Sequence, residues 1–270
     1  MKVYLKDGTT WSEPHFQMKW LKLDNWLIEE YRKINLNIVE ELIDTLLDFH
    51  QGKLNLLEFY EKCLPHRIVF LKQSTDSFRL ESFKFDPNLG VTIVPVSTTQ
   101  INKLLEDSEY RKEYTRQLKI MVVHEDTHKQ QFDRYDGYSE GYELPESLNP
   151  FQTLSSKDIA YFSQTIEADA YGREVGESLI QAYPEKSAYW IFENVIRKNV
   201  TTDIEEILAV YRNPKIPKKA FQHFWRALYD YLVEEKDPDS KKESCKELNE
   251  VYEMLIKALK EKKVSQVVKF

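Results

Sequence analysis

The pentapeptide His-Glu-Asp-Thr-His at 124–128 constrains the fold of this chain more than any other feature of its sequence. Two histidines four positions apart on a helix project from one face, about one turn from each other. His124 and His128 can therefore hold a single zinc ion through two imidazole nitrogens. Glu125, between them, is then placed to activate a metal-bound water. We predict a helix through this segment and a further metal ligand from elsewhere in the chain.

The leading candidate for the third ligand is Glu167, which begins the string Glu-Ala-Asp-Ala-Tyr at 167–171. It follows an apolar stretch, and the small alanines after it permit close helix packing. A third protein ligand would leave one coordination position open, as a catalytic zinc needs. Asp169 is a rival that is turned away from Glu167 on the same helix, and Asp133 and Asp136 are weaker rivals. The alternative is that Glu167 is a solvent-facing acid.

Tyr171 follows Glu167 by one helical turn and therefore shares its face. A phenol in that position could hydrogen-bond the oxyanion of a tetrahedral intermediate. It could equally be a packed aromatic residue, which is the commoner role. His223 could reach the site from a later helix, although a histidine among aromatic residues is more often structural.

The hydrophobic pattern predicts an α+β protein that is predominantly helical. Apolar residues recur at helical intervals within 20–64, and the chain is expected to be almost wholly helical from about Ile101 onward. Candidate strands of a small β-sheet lie between these regions. The strand at 91–96 contains Pro95, which cannot donate a ladder hydrogen bond, so we expect it at an edge of the sheet. Such an edge beside a zinc cleft could bind an extended peptide, or it could simply end the sheet.

We divide the chain into an N-terminal helical segment at 1–64, a core at 65–200 and a C-terminal helical segment at 201–270, together forming one compact unit. The stretch 137–154 is predicted to be a long loop, and loops of that length are often functional. A capping box that begins at Ser155 opens a helix expected to continue through Glu167.

Composition limits the classes of partner and the compartment. The formal net charge is −7, and no sustained basic stripe precedes the lysine-rich C-terminal tail, which argues against a nucleic-acid partner. Cys63 and Cys245 lie far apart without a Cys-x-x-Cys pair, which fits a reducing compartment. The N-terminus lacks the apolar stretch of a signal peptide, and no apolar run approaches a membrane span. We expect a cytoplasmic protein without a membrane partner; its oligomeric state stays open.

These motifs resemble those of the gluzincin metallopeptidases, with a His-Glu-x-x-His helix and a glutamate ligand on a following helix. The Glu-Ala-Asp-Ala-Tyr string is similar to the second motif of ImmA/IrrE-type peptidases. The resemblance implies that His124, His128 and Glu167 bind zinc and that Glu125 is the general base. It also implies a zincin-like core with a short sheet whose edge strand packs against the metal helix. The matching portion is about 65–182, and the extra N- and C-terminal helices lie outside it.

The chain departs from the gluzincin pattern in two places. Asp126 and Lys129 are charged, whereas zincin helices usually have uncharged residues there. Tyr171 stands where thermolysin-like members place an aspartate. The partner that orients a zinc-bound imidazole is therefore unidentified in the sequence.

The leading hypothesis is a zinc metallopeptidase that hydrolyses a peptide or protein substrate with Glu125 as general base and a tyrosine at the oxyanion. The second hypothesis is a non-catalytic binding or regulatory protein on a metallopeptidase-like scaffold, with a structural metal or none. The third is a helical interaction protein in which the histidine motif is accidental.

Overall fold

The computed structural model describes the following residues: 2–5, 10–11, 34–73, 83–86, 90–135, 137–140, 155–196, 205–236, 250–257 and 260–261. The chain divides into two compact units, 1–141 and 142–270. Each unit has its own hydrophobic core. Helices predominate and the sheets are small, so the predicted α+β, mainly helical class is confirmed. The division expected at 64/65 and 200/201 stays a prediction.

The described residues of the first unit form helices and short strands. In chain order they are β1 (Lys2–Leu5), β2 (Thr10–Trp11), α1 (Asn37–His50), α2 (Leu56–Cys63), β3 (Ile68–Gln73), β4 (Lys84–Asp86), β5 (Val91–Ser97), α3 (Thr98–Glu106), α4 (Ser108–Tyr135) and β6 (Gly137–Glu140). The apolar face of α1, which includes Val39, Leu42 and Leu46, is buried in the core that it shares with α3 and α4.

β5 is the central strand of a three-stranded sheet with the order β3–β5–β4, parallel to β3 and antiparallel to β4. The prediction that Pro95 places this strand at an edge is therefore wrong. The Thr92 N–H donates to the Arg67 carbonyl on the β3 side. Because successive N–H groups point to opposite sides, Pro95 faces the β4 side, where the pairing of the described residues reaches Ile93. Among the described residues, the missing donor therefore interrupts no ladder hydrogen bond.

The edge strand that packs against the metal helix is β4 instead. Of the described strands in this sheet, β3 and β4 form the edges, and β4 contacts α4. The predicted edge strand beside the His-Glu-x-x-His helix is thus present, but at Lys84–Asp86.

The predicted loop at 137–154 begins with a strand. β6 pairs antiparallel with β1, which also pairs with β2. The partner of β6 lies more than a hundred residues earlier, so no local pattern could reveal it. The stretch 141–154 lies outside the described residues.

The second unit is helical in its described residues. In chain order the helices are α5 (Ser156–Phe162), α6 (Thr165–Ala182), α7 (Ala188–Ile191), α8 (Glu205–Arg212) and α9 (Lys218–Lys236), with a π-helical turn at Phe192–Ile196 and a further helical segment at 250–257. The capping box at Ser155 is confirmed, because its hydroxyl accepts from the Asp158 N–H at 3.1 Å and the Asp158 carboxylate accepts from the Ser155 N–H at 2.7 Å.

The helix expected to run from Ser155 through Glu167 is interrupted. Ser163 ends α5, where both its N–H and its hydroxyl donate to the Ile159 carbonyl. Gln164 has an extended backbone and precedes α6. Glu167 therefore lies in the first turn of a new helix. No helix within the described residues combines the length and apolar character needed to cross a membrane.

The packing of α6 on α9 depends on two glycines. A Cβ added at Gly172 would lie 2.5 Å from the Phe224 carbonyl oxygen and 2.8 Å from the Ala227 Cβ. At Gly176 it would lie 2.7 Å from Cδ1 of the Tyr231 ring. The obstacle at Gly172 includes helix backbone, whereas the obstacle at Gly176 is the buried ring of Tyr231.

We expect Gly172→Ala to lower the free energy of unfolding by about 1–3 kcal/mol, although alanine is the better helix former. The two helices must move apart to admit the methyl group. Urea titration followed by circular dichroism measures the effect. Gly176→Ala is the comparison variant, because its added methyl group meets a ring instead of helix backbone. A loss below about 1 kcal/mol in Gly172→Ala would contradict the close backbone contact.

Candidate metal centre

The predicted helix through His124 and His128 is confirmed, and both imidazoles are buried on α4. Their Nε2 atoms lie 3.1 Å apart. Two nitrogens on one tetrahedral zinc, each about 2.0–2.1 Å from the metal, are roughly 3.3 Å apart. The observed separation is close to that value, so the pair fits two ligands of a single ion.

Gln131 is the partner that orients one of these imidazoles. Its Oε1 lies 2.9 Å from Nδ1 of His128, and its side chain is fully buried. An amide oxygen only accepts, so Nδ1 carries the proton and Nε2 presents its lone pair as a ligand does. Gln131 was not among the residues predicted from the sequence. Its signal was the spacing of three from His128, which places both on one helix face.

We expect Gln131→Ala to weaken zinc binding by about 10–100-fold, because the imidazole loses the acceptor that sets its tautomer and orientation. Competition titration against a chromophoric chelator measures the affinity. Gln130→Ala is the matched control, since the Gln130 amide donates to Asp126 at 2.6 Å. Equal affinities for the two variants would contradict the orienting role.

Glu125 is buried and hydrogen-bonded to the edge strand β4. Its Oε2 accepts a hydrogen bond from the Phe85 N–H on β4 at 2.5 Å. The Phe85 ring also packs against Phe132 of α4, with ring centroids 5.7 Å apart. The ring of Phe85 thus fixes β4 to α4, and its N–H holds the Glu125 carboxylate in a defined orientation.

The charged residues that depart from the zincin pattern lie on the other face of α4. Lys129 Nζ is 2.6 Å from one carboxylate oxygen of Asp126, and the Gln130 amide donates to the second. These contacts satisfy the buried Asp126 carboxylate within its own helix. The polar character of α4 is therefore compatible with a metal pair on the opposite side.

In the second unit, Glu167 is held by Tyr161. The Tyr161 hydroxyl donates to Oε2 of Glu167 at 2.7 Å, and both side chains are largely buried. Burial, with the charge of Glu167 adding to it, raises the pKa of Tyr161 well above its ordinary value. The phenol therefore stays protonated and remains a donor. The sequence offered no signal for Tyr161, because its approach requires the break between α5 and α6.

The rival ligand Asp169 is engaged elsewhere. Its carboxylate accepts a hydrogen bond from Nδ1 of His223 on α9 at 2.9 Å, and both groups are buried. This hydrogen bond joins α6 to α9, which gives both residues a structural role. The side chains of the other rivals, Asp133 and Asp136, lie outside the described residues.

Tyr171 packs in an aromatic cluster of the second unit. Its ring lies 5.3 Å from that of Phe162 and 6.5 Å from that of Tyr211, and its hydroxyl is 3.5 Å from the Tyr161 hydroxyl. The ring is only partly buried. Tyr171 is thus a packed aromatic residue, as the alternative prediction had it. Its role at the oxyanion stays a prediction.

The structure brings His124, His128 and Glu167 together. Each offers one ligand atom, and these atoms all lie within 4.8 Å of one another. The group could hold a metal ion. Two imidazoles and one carboxylate are a donor set found in catalytic zinc sites.

No protein-family model, curated protein or solved structure matches this chain. The metal centre therefore depends on the side chains described above, and the resemblance to gluzincins remains an expectation from the motifs.

Proposed function

We propose that the chain is a zinc-dependent peptidase of gluzincin type, with His124, His128 and Glu167 as the metal ligands. The observation that carries this proposal is the group of three ligand atoms within 4.8 Å, beside a buried glutamate on the same helix as the histidines. When bound, zinc would supply a water with a pKa of about 7 and polarise the substrate carbonyl. A site with three protein ligands keeps a position for that water.

Glu125 is the proposed general base. It takes a proton from the attacking water and passes the proton to the leaving amine. Its hydrogen bond from the Phe85 N–H supports this role, because it limits the carboxylate to one orientation. Burial also excludes bulk water from the proton transfer.

The two tyrosines near Glu167 have different proposed roles. Tyr161 positions the ligand, since its hydroxyl already donates to the Glu167 carboxylate. Tyr171 is the proposed oxyanion donor. Its partial exposure supports this assignment, because a group that touches substrate must be reachable.

The proposed substrate is a peptide or protein segment in extended form. β4 is an edge strand of its sheet, and its residue Phe85 contacts the proposed base. The Phe85 N–H already donates to Glu125, so an extended chain would pair with the remaining backbone groups of this edge, which would bring a peptide bond beside Glu125.

We also propose a cytoplasmic location. Cys63 is a buried free thiol, and burial raises its pKa to about 11, so it stays protonated and unreactive. A reduced, inert cysteine is compatible with a reducing compartment.

The regulatory alternative is motivated by the polar metal helix and by the missing aspartate, in whose place Tyr171 stands. Asp126 and Lys129 pair with each other away from the histidines, and Gln131 contacts His128. Turnover is the property that separates the two functions.

A cleavage screen tests the proposed function. We expect the zinc-loaded chain to cleave members of a random peptide library, analysed by mass spectrometry. Dipicolinate should abolish the cleavage by removing the metal, and added zinc should restore it. Cleavage that persists in the chelated chain at the full rate would refute a zinc peptidase.

A further inference from the structure

Two buried polar pairs among the described residues connect α6 to α9 within the second unit. Nδ1 of His223 donates to the Asp169 carboxylate at 2.9 Å, and the Tyr231 hydroxyl donates to the Glu177 carboxylate at 2.8 Å. All four residues are buried. Each pair joins residues that are 54 positions apart. Because the two contacts are separated by the same number of residues on both helices, α6 and α9 run parallel in one register.

Glu167 lies close to one of these pairs and far from the other. At a rise of about 1.5 Å per residue, Asp169 is roughly 3 Å from Glu167 along the helix axis, and Glu177 is roughly 15 Å away. Glu167 belongs to the first turn of α6, and the end turns of helices fray most readily. The side chain of Gln164, which precedes this turn, makes no capping hydrogen bond. The bond between Asp169 and His223 is therefore well placed to hold the turn that carries the ligand.

The two helices also approach closely between the polar pairs. A Cβ added at Gly172 would lie 2.5 Å from the Phe224 carbonyl oxygen, so this contact fixes the distance between the helix backbones. A hydrogen bond adds a direction, because it weakens steeply when its angle departs from linearity. A slip of α6 along α9 would also leave buried carboxylates without their donors, which is costly. The contact at Gly172 thus sets the spacing, and the polar pairs set the register.

We propose that His223 is a positioning residue for the metal centre. Its hydrogen bond to Asp169 holds the first turn of α6, and this turn presents the Glu167 carboxylate to the metal. This role depends on the proposed function, because it takes Glu167 as the third ligand. His223 acts on that ligand through Asp169 and the helical turn between them.

Tyr161 and His223 hold different parts of the same ligand residue. The Tyr161 hydroxyl donates to the Glu167 carboxylate itself and so orients the end of the side chain. His223 acts two residues further along α6 and so fixes the backbone from which that side chain extends. Groups that orient a metal ligand contribute about 10–100-fold to metal affinity. Loss of the His223 donor should therefore weaken zinc binding while the contact with Tyr161 remains possible.

Two amide variants of His223 test this role through zinc affinity. Asparagine places its amide nitrogen near the position of Nδ1, so His223→Asn keeps a donor for Asp169. Glutamine extends its amide nitrogen to the position of Nε2, so His223→Gln loses that donor at similar polarity. We expect His223→Gln to weaken zinc binding by about 10–100-fold, and His223→Asn to stay within about threefold of the wild type. Chelator competition with the full chain measures both affinities.

Tyr231→Phe is the matched control, since it removes the corresponding hydrogen bond at the far end of the same helix pair. It should lower the melting temperature, because the buried Glu177 carboxylate loses a donor, and it should leave the zinc affinity unchanged. His223→Ala is the second variant in case His223→Gln does not fold. It leaves space for water beside the Asp169 carboxylate and should show the same loss of zinc affinity.

Two outcomes overturn the positioning role. One is zinc binding by His223→Gln, or by His223→Ala in its place, as tight as by the wild type. The other is an equal loss in Tyr231→Phe, because the effect would then follow the general packing of α6 on α9. A wild-type chain that binds zinc without cleaving peptides refutes the peptidase alone. A wild-type chain that binds no zinc refutes the metal centre and the role of His223 together.

Discussion

Glu125→Gln should leave the zinc content at one ion per chain and abolish peptide cleavage. The amide cannot accept the proton of the attacking water, whereas its oxygen can still accept the hydrogen bond from the Phe85 N–H. The local structure is therefore kept while the base is removed. General-base catalysis contributes about 10²–10⁴-fold, so kcat/KM should fall by at least that factor.

The measurement combines kcat/KM on a peptide found in the cleavage screen with zinc determination by mass spectrometry. Asp126→Asn is the matched control, because it makes the same change at the next residue of the same helix. Its side chain meets Lys129 and Gln130 on the far side and should leave kcat/KM near the wild-type value. Full cleavage by Glu125→Gln would show that this carboxylate is not the base.

Glu167→Gln should lower zinc affinity by more than about 100-fold, beyond the 10–100-fold expected for a partner that only orients a ligand. A carboxylate gives zinc a negatively charged oxygen, and a neutral amide is a much poorer donor. Loss of the third ligand also removes the geometry that keeps a water position. Activity should fall with the metal content.

Asp169→Asn is the matched control on the same helix. It removes the same charge two residues later, and its amide oxygen can still accept from Nδ1 of His223. Zinc affinity, measured by chelator competition, should stay near the wild-type value. A larger loss in Asp169→Asn than in Glu167→Gln would make Asp169 the ligand and contradict the assignment. Melting curves of both variants exclude unfolding as the cause.

The metal pair was predictable because its geometry is local. The spacing of four between His124 and His128 places both imidazoles on one face of any regular helix. Gln131 obeys the same periodicity, so its contact with His128 was within reach of the same reasoning. The spacing alone does not show which of the neighbouring side chains accepts a hydrogen bond from an imidazole.

The choice between Glu167 and Asp169 needed the folded chain. Both are acids on one helix, and both are buried. Contact of Asp169 with His223, 54 positions away, separates their roles. The approach of Tyr161 to Glu167 likewise requires the break at Ser163, which the capping box at Ser155 did not reveal.

By itself, the sequence determined what depends on near neighbours: the mainly helical class, the face shared by His124 and His128, and the cap at Ser155. Only the tertiary structure decided which distant groups meet. It placed the strand of Pro95 at the centre of its sheet, assigned Phe85 to Glu125, and paired Asp169 with His223. Helical periodicity is a property of the backbone, whereas long-range partners are chosen by the packing of the whole core.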